Sequence, residues 1–104
     1  MRRFVGLNGT ISISDHSVFL SREGKLDSVF HMPGTTEIPI RLIHKVVFSQ
    51  AGLTNGFIAI LRKGDKQPHS VFSALKNENA VIFRVTKNDQ ALELAEYVRS
   101  LMQK

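Results

Sequence analysis

The chain has no cysteine, so disulfides and thiolate metal sites are excluded, an absence that agrees with a reducing cytoplasm. It also has no apolar run near the roughly 18 residues needed to span a bilayer. The opening Met1-Arg2-Arg3-Phe4-Val5-Gly6 carries basic residues without the apolar stretch of a secretory signal behind them. The expectation is a cytoplasmic protein, soluble and not secreted. No internal repeat, low-complexity tract or linker interrupts the 104 residues, which fit one domain with a single core.

Sequence patterns for catalysis are missing as well. The histidines at 16, 31, 44 and 69 show neither a His-x-x-x-His spacing nor a partnering carboxylate motif, so no metal is expected. Ser14-Asp15-His16 has the letters of a hydrolytic triad, but triads are assembled from distant segments, and these three residues read as a turn. Gly52 to Gly56 lacks the following Lys-Ser/Thr of a phosphate-binding loop, and Gly64 is isolated. The expectation is a protein that is not an enzyme and takes no cofactor.

Charge of one sign is in modest excess: 14 basic residues against 9 acidic ones, a formal +5. The excess is even along the chain, with no basic arm. It favours only weak, salt-sensitive attraction to anionic surfaces, and solubility is the simpler explanation. Hydrophobic residues at 42% and charged residues at 22% are ordinary for a globular domain.

What the chain does contain is mostly β patterning. Thr10-Ile11-Ser12-Ile13-Ser14 alternates, and Ser17-Val18-Phe19-Leu20-Ser21-Arg22 follows the turn at Asp15-His16, which predicts a hairpin. Asn8-Gly9 is a further turn signal, so residues 3–7 add a short edge strand. Turns at Glu23-Gly24 and Pro33-Gly34 bracket an extended piece over residues 26–31. Residues 35–40 form a strand whose Pro39 belongs at an edge, end or bulge. Residues 41–43 make a turn or a single helical twist before a strand over 44–48. The nearly all-apolar Phe57-Ile58-Ala59-Ile60-Leu61-Arg62 predicts a central strand covered on both faces.

The spacing then predicts a basic hairpin tip at Arg62-Lys63-Gly64-Asp65-Lys66-Gln67, leading into a strand over residues 70–75 with Phe57 and Phe72 in the core. A turn at 76–79 and a last strand over 80–85 follow, with Val81, Phe83 and Val85 on one face. The chain ends in an amphipathic helix over 89–102, a capping segment of about 88–103. Thr86 or Asn88 is its cap, with Asp89 at the positive end of the dipole. Ala91, Leu94, Ala95, Val98, Leu101 and Met102 form an apolar stripe opposite Glu93, Glu96, Ser100 and Gln103. The fold class expected is mainly β, α+β by content, with about seven antiparallel strands in a barrel or sandwich closed by the helix.

That element order resembles the pleckstrin-homology-like (PH-like) domains. Gly34-Thr35-Thr36-Glu37-Ile38-Pro39-Ile40 and the following Val46-Val47-Phe48 are similar to the Ile-Pro-hydrophobic signature of bacterial and phage PH-like domains. Ala51-Gly52-Leu53-Thr54-Asn55-Gly56-Phe57-Ile58 and Glu78-Asn79-Ala80-Val81-Ile82-Phe83 resemble the steps that follow it, in an uncharacterised family often found beside short C-terminal (SHOCT) modules. The resemblance implies a single PH-like domain over 1–104 and no reaction. Two departures limit what it carries. No SHOCT-like helical tail follows Lys104, and the Ser14-Asp15-His16-Ser17 turn is short and acidic where phosphoinositide-binding relatives place several Lys and Arg residues.

The functional expectation is an interaction module binding protein, a peptide or a second copy, through strand edges or the groove beside the helix. The alternative is peripheral contact with anionic membrane through Arg62, Lys63 and Lys66. No specific nucleic acid is expected, because Phe57 and Phe72 read as core and not as a stacking row.

Overall fold

Alternation in the first third of the chain becomes a four-stranded antiparallel meander in the computed structural model, which describes residues 2–22, 35–75 and 77–103. Its strands are β1 (Arg2–Val5), β2 (Gly9–Ile13), β3 (Ser17–Arg22) and β4 (Thr35–Pro39), paired in chain order. Register aligns Phe4, Ile11 and Leu20 in one cross-strand row and Ile13, Val18 and Ile38 in the next. All six are buried and point into the main core. The β2–β3 turn is held by Ser14, whose Oγ accepts from the amides of His16 and Ser17 at 3.3 and 3.1 Å. The extended piece expected over residues 26–31 lies outside the described residues.

Among the described residues, Pro39 sits on the edge strand of this sheet, where a residue without an N–H belongs. The Ile40 amide donates to the His16 carbonyl at 2.8 Å, so by ladder alternation the nitrogen of Pro39 faces outward, where no donor is lost. A single 3-10 turn, Ile40–Leu42, carries the chain to the second sheet. That sheet holds β5 (Ile43–Ser49), β6 (Gly56–Arg62) and β7 (Ala80–Phe83), again antiparallel.

β6 is buried on both faces, as its apolar run predicts. Ile58 and Ile60 enter the main core, whereas Phe57, Ala59 and Leu61 join a second cluster with Ala74, Ala80 and Ile82. What covers this second face differs from the expected hairpin. Residues 70–75 are not a strand: Val71–Leu75 is a short helix, α1, and β6 pairs directly with β7. The reason is local polar chemistry. Ser73 N–H donates to Ser70 Oγ at 3.2 Å while Ser70 N–H donates to Ser73 Oγ at 3.0 Å, a reciprocal box that satisfies helix-start donors a strand would leave to a neighbour. Ala74 of α1 lies against Ala59 and Ala80, which are register partners, and three small side chains let the helix sit close.

Phe72, expected in the core, projects outward from α1 and is 80% exposed. The last strand also ends early. Val85, expected beside Val81 and Phe83, belongs to a 3-10 turn (Val85–Lys87) and is 57% exposed.

The terminal helix α2 (Asn88–Met102) buries Ala91, Leu94, Ala95 and Val98 in the main core, with Tyr97, Leu101 and Met102 packed at its margin. Neither expected cap operates. The N-cap is Lys87, without a side-chain bond, because Asn88 is used elsewhere: its Oδ1 accepts from Ala51 N–H and its Nδ2 donates to Ala51 C=O, both at 2.8 Å. Asn88 thereby ties the start of α2 to the loop after β5.

The two sheets do not close into a barrel among the described residues; they meet at bridged seams. Leu7 N–H donates to Ile82 C=O and Ile82 N–H to Asn8 Oδ1, both at 2.9 Å, which stitches the β1–β2 turn onto β7. Gly6 permits this approach, since a Cβ there would overlap Val81 and the Ile82 carbonyl. Phe83 links the sheets from inside, edge-on to Phe4 at 5.8 Å and stacked on Phe48 at 5.9 Å. The result is a mostly β, α+β sandwich-like fold with a helix packed across one side.

Candidate interaction surfaces

The basic tip is a tight turn: Asp65 N–H donates to Arg62 C=O at 3.0 Å, and Gly64 adopts φ +90, a conformation favouring glycine. Arg62 is not a free cation there. Asp65 accepts from the Arg62 amide at 2.7 Å and from its Nε at 3.0 Å, with a further guanidinium contact at 3.4 Å. Burial pushes the Asp65 carboxyl up, but the hydrogen bonds from the Arg62 side chain and amide, with the Arg62 charge, outweigh it and hold the carboxyl below the usual range. The same partner raises the Arg62 guanidinium further. Lys63 and Lys66 are exposed. The structure therefore brings Arg62 to Asp65 and leaves two lysines at the tip.

Histidines 16, 44 and 69 are exposed, and His31 lies outside the described residues. Among the described residues, no group of three or more His, Asp or Glu side chains could hold a metal ion, and no helix is long and apolar enough to cross a membrane. Ser14 of the triad-like run serves its own turn, also donating from Oγ to Ser17 C=O at 3.3 Å.

Sheet edges differ in how they are covered. β1 is held along α2, where Arg2 pairs with Glu93 at 3.1 Å and lies 4.1 Å over the Tyr97 ring. β7 is bonded by Leu7 and Asn8, as above. Among the described residues, no strand pairs with β5 on the side away from β6. Ile60 N–H donates to Asn79 C=O at 3.0 Å, toward β7, so the Val46–Ile60 pair and, two residues on, the Phe48–Ile58 pair turn their β5 backbone groups outward. One of these groups is taken, because Arg99 of α2 donates to Val46 C=O at 3.0 Å. The outward N–H and C=O of Phe48 have no partner among the described residues. Arg99 was legible only as a basic residue in the last turn of the helix; that its reach ends on β5 depends on packing.

A third surface was not anticipated. Leu53, in the loop between β5 and β6, is 107% exposed, and with Phe72, Val85 and Arg84 it lines one shallow depression. Its sequence signal is a large apolar residue inside the turn-forming run Gly52-Leu53-Thr54-Asn55. No family model, curated protein or solved structure matches the chain.

Proposed function

We propose that the protein is a PH-like interaction module without catalytic activity, working in the cytoplasm of a bacterium or its phage. It binds an extended polypeptide along the outer edge of β5, in the groove beside α2. The observation that carries this reading is the outward backbone pair of Phe48, with α2 running alongside. A strand added there gains main-chain hydrogen bonds, while the flanking helix supplies side-chain selectivity. The bond from Arg99 to Val46 leaves the Phe48 end as the point of entry. Membrane contact through Arg62, Lys63 and Lys66 is the weaker reading, because Arg62 is committed to Asp65.

The test is a peptide selected from a random library by the full chain, followed by amide shifts on titration. Shifts at Val46, Phe48 and the facing turn of α2 are expected. Shifts confined to β1–β4, or no selected peptide together with a strict monomer by light scattering, would refute the proposal.

A further inference from the structure

We propose that the end of the second sheet carrying Leu53, Phe72, Val85 and Arg84 docks on an anionic phospholipid surface. This site is separate from the β5 edge and stands or falls without it. Single exposed apolar side chains are ordinary, whereas a contiguous group calls for an explanation. Here three connecting segments converge: the β5–β6 loop presents Leu53, α1 presents Phe72, and the 3-10 turn after β7 presents Val85, at 107%, 80% and 57% exposure. Arg84 lines their depression and also the neighbouring one, which continues the surface through the exposed Val5 and Leu7 to Lys87.

Charge and shape together choose the occupant. Among the described residues, no carboxylate lines either depression, and neither Arg84 nor Lys87 has an ion-pair partner. A second copy docked face to face would set Arg84 against Arg84, so self-association is disfavoured by like charge. The apolar side chains project; Leu53 is as exposed as in an isolated peptide, so nothing shapes a socket around it. A bilayer interface takes such projecting groups a few ångströms deep while Arg and Lys reach the phosphates. α1 holds Phe72 ready, since Ala74 anchors the helix on the sheet and the Ser70–Ser73 bonds close its first turn.

The experiment is cosedimentation of the full chain with phosphatidylcholine–phosphatidylglycerol vesicles at low salt, against pure phosphatidylcholine vesicles. The wild type should sediment with the anionic vesicles and release as salt rises. Leu53→Ser with Phe72→Ser should lower partitioning about tenfold or more, and Arg84→Gln with Lys87→Gln about thirtyfold. Both variants should melt like the wild type, because the altered side chains project from the surface. Lys63→Gln with Lys66→Gln should leave partitioning unchanged. The proposal is overturned if the wild type stays in the supernatant, if it binds neutral vesicles equally, or if the Leu53/Phe72 variant binds undiminished. Protection of Phe72 by a carboxylate-rich amphipathic peptide, without vesicle binding, would assign the surface to a protein instead.

Discussion

Asp65 and Asn79 illustrate how polar residues lock the far end of β6. Asn79 is 4% exposed, and its Nδ2 donates to Ile60 C=O at 3.1 Å and to Asp65 Oδ2 at 3.3 Å. Asp65 in turn holds Arg62 through its amide and guanidinium, so replacing it removes the acceptor of four donor contacts, three from Arg62 and one from Asn79. Asp65→Ala is expected to cost about 1–2 kcal/mol at neutral pH by chemical denaturation, the scale of lost hydrogen bonds at a partly exposed site. The folded carboxyl titrates below its unfolded value, so its contribution is complete above the unfolded value of about 3.9 and is lost as pH falls through the folded one. Wild type and variant should thus converge in stability only in acid. A difference that persisted unchanged below that range would show that the charge is not responsible. In sequence, Arg62-Lys63-Gly64-Asp65-Lys66 reads as a basic tip; that Asp65 turns back onto Arg62 follows from the positive φ of Gly64, a backbone fact the letters only permit.

At the level of elements, local patterning was a sound guide wherever one period dominated. β2 and β3 were legible from alternation, α2 from its stripe, and β6 from its unbroken apolar run. It misled at residues 70–75, where Val71, Ser73 and Leu75 alternate with Phe72 and Ala74 in a strand-like way. There the two serines satisfied helix-start donors, and β7 was available to pair with β6 directly. α2 supplies a large part of the main core. Burying Leu94 and Val98, with Leu101 and Met102 partly covered, contributes roughly 1.5–3 kcal/mol for each fully buried large side chain. That sum is comparable with the entire net stability of a small domain, about 5–15 kcal/mol. A chain truncated after Val85 is therefore expected to be insoluble or unfolded. A soluble fragment with a cooperative melt would show that the sheets sustain their own core.

For the molecule as a whole, the two apolar clusters cannot separate. β6 sends Ile58 and Ile60 to one and Phe57, Ala59 and Leu61 to the other, and β7 divides Val81 and Phe83 from Ala80 and Ile82 in the same way. Losing either strand empties both cores. Calorimetry should accordingly show one transition with matching calorimetric and van't Hoff enthalpies; a resolved second peak would mean that the α1 layer melts alone. Much of this architecture was readable in advance, because strand alternation, turn chemistry and the helix stripe are set by neighbours within a few residues. The sequence pointed to strand edges, the groove beside the helix and the basic tip, but not to which edge is exposed or to the surface around Leu53. Which side of the second sheet α1 covers, where Arg99 ends, which backbone pairs of β5 face outward and how Leu53, Phe72 and Val85 come together are all decided by contacts between residues far apart in the chain. The amino-acid order alone determined the elements and the apolar faces they had to bury. Tertiary packing decided what remained exposed, because exposure belongs to a side chain's neighbours in space and not to its neighbours in sequence.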